Sequence, residues 1–168
     1  HVRIENEIGR IFLGHNIMEY KSPADALDID VLYKAQVYAA LYKSYGATVD
    51  GIKADDVTVT LLREAKPTGL FRYLTEHGCE VSNPWPGIYY IYGTVLFTTQ
   101  IVVTDELDKA AHIWLTSLSS DLNMQDMAGL IGQMQLLNDK QDQELADSVL
   151  KVSIGANRQI VKELRGDE

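Results

Sequence analysis

Glu19 and Lys21 are two residues whose types and spacing suit catalysis, and both lie in the segment NIMEYKSP, residues 16–23. Residues two apart in a β-strand point to the same side, so Ile17, Glu19 and Lys21 share one face. A carboxylate beside an ammonium group suits metal-assisted hydrolysis of a phosphodiester. The carboxylate helps to hold Mg²⁺, which prefers oxygen ligands, and the lysine activates a water or offsets charge in the transition state.

One carboxylate makes a poor magnesium site, so this chemistry requires a second acid from a neighbouring strand. Glu5 and Glu7 precede Glu19 by 14 and 12 residues. They share one face of a strand that is predicted over residues 2–7. If that strand pairs with the strand of Glu19, either acid reaches the same pocket, and Glu5, Glu7 and Glu19 are the predicted metal ligands. The alternative is an ion pair of less than about 1 kcal/mol at a sheet edge, with both earlier acids on a solvated strand face.

Strands and helices alternate in the first two thirds of the chain. Asp28 is a suitable N-cap and Gly46 a suitable stop, which predicts a helix from Asp28 to about Lys43. The remaining predicted elements are strands at residues 2–7, 11–20 and 56–64, a helix from Pro67 to Gly78, and a hairpin around Gly93 and Thr94.

Apolar residues recur at helical spacing from Asp105 onward, which predicts a helix over residues 105–122 and two more within residues 123–168. We therefore expect an α/β (α+β) fold, with a mixed central β-sheet flanked by helices and a helical C-terminal third. Residues 1–168 are expected to form a single domain, with a core over 1–122 and a helical extension over 123–168. Apolar residues on both faces of the strand at 16–21 predict that it is central and covered on both sides.

The segments around this motif resemble the PD-(D/E)XK nuclease superfamily. The likeness is carried by NIMEYKSP, the preceding ENEIGRIFLGHN and the following DIDVLYKAQVYAALYK, and it is closest to uncharacterised or transposase-associated bacterial members. Glu19-Tyr20-Lys21 matches the (D/E)XK signature in type, order and context. The resemblance implies a restriction-endonuclease-like fold with the signature on the third core strand and a helix after it. It also implies Mg²⁺ as cofactor, Glu19 as metal ligand and Lys21 as catalytic lysine.

Two features depart from the superfamily's pattern. The earlier acid of the family is usually an aspartate, often after proline, and this chain has no Pro-Asp pair. Either Glu5 or Glu7 takes its place, or the acid lies upstream of His1. Some relatives also carry a Q-x-x-x-Y motif in the following helix, whereas here Gln36 is followed four residues later by Ala40. Gln36 still lies on the helix expected to pack beside the strand, and it is kept as a candidate catalytic residue.

Two functions are consistent with the resemblance. The first is a Mg²⁺-dependent, phosphodiester-hydrolysing nuclease, which the intact Glu19–Lys21 pair favours. The second is a catalytically inactive member of the same fold that acts as an interaction or scaffold protein, which the missing Pro-Asp pair favours. A net charge of −9 without a dense Lys/Arg cluster disfavours nucleic acid as a partner but does not exclude it.

Composition is typical of a soluble, cytoplasmic protein. No apolar run reaches membrane-spanning length and no signal peptide is visible, so we expect no membrane partner. Cys79 is the single cysteine, which excludes an internal disulfide and a Cys-rich zinc site. The sequence leaves the oligomeric state open.

Aromatic residues gather in two segments. Two prolines flank Trp85, which predicts a rigid loop before the hairpin. Four tyrosines occupy or adjoin the helix that begins at Asp28, and we expect them to pack in and around the core, with stacking on nucleic-acid bases as the alternative. These are Tyr33, Tyr38, Tyr42 and Tyr45.

Overall fold

Strands and helices alternate along the part of the chain that the computed structural model describes, residues 6–93 and 95–117. The chain divides into two compact units, residues 1–106 and 107–168. In chain order the elements are β1 (His15–Lys21), α1 (Ile29–Ser44), β2 (Val57–Arg63), α2 (Thr68–Glu76), β3 (Glu80–Trp85), β4 (Ile88–Tyr92), β5 (Thr98–Val103) and α3 (Ile113–Thr116), with 3-10 turns at Ile8–Ile11, Ala54–Asp56 and Thr104–Glu106.

The strands form one mixed five-stranded sheet in the order β1-β2-β5-β4-β3. β1, β2 and β5 are parallel to one another, while β4 runs antiparallel to β5 and β3 antiparallel to β4. The predicted mixed sheet flanked by helices is therefore confirmed, as is the antiparallel pairing around Gly93. Within the described residues, no helix is both long and apolar enough to cross a membrane.

One face of the sheet is covered by α1 and α2. Cross-strand partners point the same way, so alternate residues of each strand meet these helices. The buried cluster draws on Val57, Val59 and Leu61 of β2, Ile101 and Val103 of β5, Leu32, Ala35 and Ala39 of α1, and Leu70, Phe71 and Leu74 of α2. Ile17 of β1 packs against the same cluster, which sets the side of the sheet to which Glu19 and Lys21 belong.

The opposite face carries buried polar residues that fix the N-terminal turn. Gln100 donates from Nε2 to the Thr60 hydroxyl at 2.9 Å and to the Ile8 carbonyl at 3.0 Å. Thr58 donates its hydroxyl to the Ile11 carbonyl and accepts from the Leu13 N–H, both at 3.2 Å. These bonds hold the chain against β2 and β5 just before it enters β1.

The prediction that residues 16–21 form a central strand is wrong, because β1 lies at the edge of the described sheet and pairs there with β2 alone. Met18 is half exposed, so its apolar side chain does not mark a covered face. β2 is the strand that is buried throughout, from Val57 to Leu62. Its continuous run of β-branched and apolar residues is the pattern of a parallel strand covered on both sides.

The strand predicted over residues 2–7 is not seen at residues 6 and 7, the part of that range that the structure describes. Residues 6 and 7 lie outside any strand and lead into the turn Ile8–Ile11, while residues 1–5 lie outside the described residues. The pairing of residues 2–7 with β1 is therefore not seen among the described residues.

Two further predictions are corrected. The segment around Trp85 is the end of strand β3 and not a loop, and a bulge between Ser82 and Trp85 accommodates Pro84. The helix predicted over 105–122 begins only at Ile113. The Asp108 carboxylate accepts from the N–H groups of Ala110 and Ala111, which holds the preceding residues in a turn. The helices predicted beyond residue 117 lie outside the described residues.

Asp28 is confirmed as the N-cap of α1, because its carboxylate accepts the Val31 N–H at 3.0 Å. We expect Asp28→Ala to lower the free energy of unfolding by about 1 kcal/mol, since it leaves an N–H of the first turn without its acceptor. Asp28→Asn keeps an acceptor of the same length and should stay close to wild type. Urea unfolding of the variants measures both effects, and an equal loss in the two variants would contradict the capping role.

Candidate functional site

Glu19 and Lys21 lie side by side on the α1 side of β1. Their cross-strand partners on β2 are Leu61 and Arg63. The Lys21 ammonium is 2.6 Å from Glu19 Oε1, and the two side chains are only 17% and 23% exposed. The same-face arrangement predicted from their spacing is therefore present, and the pair is partly withdrawn from water.

Glu19 has unused hydrogen-bonding capacity. Its second oxygen, Oε2, is buried and has no hydrogen-bond partner within the described part of the chain. Buried carboxylate oxygens are normally satisfied by a donor or a cation. Oε2 is therefore the atom at which this site can accept a further donor or a metal ion.

Lys21 is held as a cation. The hydrogen bond that it donates to Glu19 raises the pKa of its ammonium group above the ordinary value for lysine, against the opposing effect of burial. The charges of Glu19 and Asp25 raise this pKa further. At neutral pH the group is fully protonated, so it supplies positive charge and hydrogen-bond donors and does not accept a proton.

Asp25 is an acid near this pair that the sequence motif did not indicate. Ser22 donates its hydroxyl to Asp25 Oδ2 at 2.8 Å, and Arg63 Nε donates to the Asp25 carbonyl at 3.2 Å. Because β1 and β2 are parallel, their carboxyl ends meet at one edge of the sheet, where ligands commonly bind in α/β folds. The signal for this residue is the short turn SPAD directly after the strand.

The predicted second acids are placed differently. Glu7 lies at the start of the turn Ile8–Ile11, so it is not aligned with Glu19 by strand pairing. Glu5 lies outside the described residues. Within residues 6–93 and 95–117, no group of three or more His, Cys, Asp or Glu side chains is arranged to hold a metal ion.

Gln36 occupies a structural position away from the Glu19–Lys21 pair. It is buried, donates from Nε2 to the Thr99 hydroxyl at 2.9 Å, and accepts at Oε1 from the N–H groups of Leu96 and Phe97 at 3.2 Å. Its amide thus fastens α1 to the start of β5. These three hydrogen bonds give Gln36 a structural role that accounts for its burial.

The α1 tyrosines were expected to pack in and around the core, but all four are exposed. The buried residues of α1 are Leu32, Ala35, Gln36 and Ala39, so one narrow side of the helix faces the sheet. The opposite side is exposed although it is largely apolar. It carries Tyr33, Val37, Tyr38, Leu41, Tyr42 and, just past the end of the helix, Tyr45.

Comparisons of the chain with protein-family models, with curated proteins and with solved structures gave no match. The interpretation of the site therefore rests on its own geometry and on the motif in β1.

We expect Glu19→Gln to lower the pKa of Lys21 towards the ordinary value of 10.5, because the charged acceptor is lost. A raised pKa stabilises the fold fully below the unfolded-state value, and this contribution disappears as the pH rises through the folded-state value. Wild type should therefore lose its advantage over Glu19→Gln above about pH 10.5. An NMR titration of the Lys21 side chain measures the shift.

Asp50→Asn is the matched control for this titration. Asp50 bridges Lys43 and Lys53, whose ammonium groups lie 2.9 and 2.7 Å away, so its loss should lower the pKa of Lys53. The pKa of Lys21 should be unaffected in this variant. An unchanged Lys21 pKa in Glu19→Gln would contradict the coupling.

Gln36→Ala tests the structural role of this amide. The variant leaves two backbone N–H groups without their acceptor and removes the donor to the Thr99 hydroxyl, so we expect the free energy of unfolding to fall by roughly 2–4 kcal/mol. Val37→Ala, at an exposed neighbouring position, should change it by about 0.5 kcal/mol or less. Normal stability of Gln36→Ala in urea unfolding would show that its buried contacts are dispensable.

Proposed function

We propose that this protein is a Mg²⁺-dependent phosphodiester hydrolase of the PD-(D/E)XK type, with Glu19 as metal ligand and Lys21 as the catalytic lysine. The observation that carries the proposal is the partly buried Glu19–Lys21 pair on β1, in which Glu19 Oε2 has no hydrogen-bond partner among the described residues. The helix α1 directly after β1 agrees with what the resemblance implies, whereas the position of β1, the first described strand and an edge strand, differs from the third core strand that the resemblance implies.

The residues present fit a magnesium ion that keeps most of its water. Mg²⁺ commonly binds through one or two carboxylates and retains several waters, so a three-residue cage is not required. Glu19 Oε2 supplies one oxygen. Asp25 is a candidate second acid from the described residues, and Glu7 and Glu5 remain the candidates from the sequence. When bound, Mg²⁺ would polarise a phosphoryl oxygen and lower the pKa of a coordinated water.

Lys21 then acts through its positive charge. Its raised pKa keeps the ammonium group protonated, so it can donate hydrogen bonds to a phosphate oxygen and stabilise the charge that develops in the transition state. Glu19 orients this ammonium group through Oε1. One oxygen of Glu19 thus positions the lysine, and the other would be the metal ligand.

The second candidate is a non-catalytic interaction or scaffold protein with the same fold. It is favoured by the lack of a three-residue metal cluster among the described residues and by the net charge of −9. In this case Glu19 and Lys21 form a structural ion pair alone. The two candidates differ in whether Glu19 binds a divalent ion.

Lys21→Ala should abolish cleavage and leave metal binding largely intact, because the lysine acts on the substrate and is not a ligand. Glu19→Ala should remove both metal binding and cleavage. Calorimetry with Mg²⁺ and Mn²⁺, and cleavage assays on single-stranded and duplex substrates, measure the two properties separately.

Lys53→Ala is the control for these variants, because Lys53 forms a comparably close ion pair, 2.7 Å from Asp50, in a different part of the first unit. It should retain both metal binding and cleavage. Wild-type protein that binds neither metal ion and cleaves no substrate would exclude the hydrolase and leave the scaffold candidate.

A further inference from the structure

Arg63 is the last residue of β2 and lies next to Lys21 of the candidate site. The two residues are cross-strand partners in the parallel pairing of β1 with β2, so their side chains leave the same face of the sheet about 5 Å apart. Arg63 is partly buried. The motif in β1 gives no indication of this residue, because only the pairing of the two strands brings it to the site.

The Arg63 guanidinium group is held by the two connections that follow these strands. Its Nε donates to the Asp25 carbonyl at 3.2 Å, and its Nη1 donates to the Ala65 carbonyl at 2.9 Å. Asp25 lies between β1 and α1, and Ala65 lies between β2 and α2. These bonds orient the guanidinium group at the carboxyl ends of two parallel strands, the edge at which ligands commonly bind in α/β folds.

The charge of Arg63 is not neutralised by an ion pair within the described part of the chain. Both of its acceptors are backbone carbonyls, which carry no net charge. Lys21, by contrast, is paired with Glu19. A guanidinium group has five N–H donors, and each of the two bonds uses one of them. N–H groups therefore remain on both terminal nitrogens of Arg63 for a further acceptor.

We propose that Arg63 is the phosphate-binding residue of this site, and that its two terminal nitrogens donate to two oxygens of the substrate's phosphodiester. The planar guanidinium group matches the spacing of two phosphate oxygens, and charge-assisted hydrogen bonds of this kind are among the strongest in proteins. The inference rests on the proposed function, because it names the group that holds the phosphate on which Glu19 and Lys21 act.

The competing role for Arg63 is structural, in which it only ties the two connections together. A neutral donor satisfies a carbonyl as well as a cation does, so this tie does not account for the charge. A partly buried cation without a counter-ion among the described residues carries a desolvation cost, and an anionic ligand offsets that cost. The charge therefore favours the phosphate.

The experiment is a calorimetric titration of inorganic phosphate into the metal-free full chain in EDTA, at constant ionic strength set with chloride. Wild type should bind phosphate. Arg63→Ala should weaken this binding by about tenfold or more, because a charge-assisted contact is lost. Arg63→Lys keeps the charge but not the paired donors, so it should weaken binding by about threefold.

Arg10→Ala is the matched control. It removes the same charge from the opposite face of the sheet, where the Arg10 guanidinium group lies 5.1 Å from the centre of the Trp85 ring on the far strand β3. This variant should bind phosphate like wild type. Absence of phosphate binding by wild type, or equal losses in Arg63→Ala and Arg10→Ala, would overturn the proposal. If circular dichroism shows that Arg63→Ala does not fold, an unchanged phosphate affinity of Arg63→Lys would overturn it.

Failure of this inference is distinguishable from failure of the proposed hydrolase. Phosphate binding in EDTA that depends on Arg63, without any metal-dependent cleavage, would support the phosphate-binding role and exclude the hydrolase. Cleavage that depends on Glu19 and Lys21, with a KM that Arg63→Ala leaves unchanged, would support the hydrolase and exclude the role of Arg63.

Discussion

The parallel pairing of β1 with β2 is the interaction on which the candidate site depends. It joins seven residue pairs, from His15 opposite Val57 to Lys21 opposite Arg63. A slip of one residue would turn Glu19 and Lys21 to the opposite face of the sheet. The register cannot slip without cost, because Ile17 packs against the core on the α1 side. An apolar constraint therefore determines where the two charged side chains lie.

The contribution of the Glu19–Lys21 pair to folding stability does not account for its presence at this position. Ion pairs at surface positions contribute about 1 kcal/mol or less. A buried acceptor without a partner costs roughly 1–3 kcal/mol, and Glu19 Oε2 is such an acceptor among the described residues. The arrangement as a whole is therefore close to neutral or unfavourable for folding. An unfavourable buried charge at the carboxyl end of a parallel strand is the kind of local conflict that a ligand relieves when it binds.

Local patterns predicted the elements well, whereas burial depended on tertiary context. The N-cap at Asp28, the β-branched run of β2 and the helix between Pro67 and Gly78 each carry a physical signal within a few residues, and each element formed as expected. The edge position of β1 has no such signal, because sheet order is decided by pairings between distant segments.

The site shows the same division between local and tertiary information. The face shared by Glu19 and Lys21 follows from strand periodicity, so it was predictable. Gln36 was assigned to the site because helix position suggests proximity, but its contacts are to residues 96–99, sixty positions away in the chain. Asp25 was missed because it lies outside the E-x-K motif, although the turn SPAD that brings it to the strand end has a sequence signal. The exposure of the α1 tyrosines was missed because helical spacing does not specify how much of the circumference a sheet covers.

An acidic protein that acts on a polyanion needs a local patch of positive charge where the polyanion binds. The candidate site contains cationic side chains that could form such a patch. Lys21, Lys34 and Arg63 belong to the carboxyl end of β1 and its surroundings, but Glu19 and Asp25 lie there too. Without a metal ion these groups leave an excess of one positive charge. A bound divalent cation is often the largest local charge in such a site and would make the balance more strongly positive. Affinity for the metal and affinity for the nucleic acid would then be coupled, and each would strengthen the other by the same factor. On this argument the net charge of −9 suppresses binding of nucleic acid to the metal-free protein and does not exclude it from the metal-bound form.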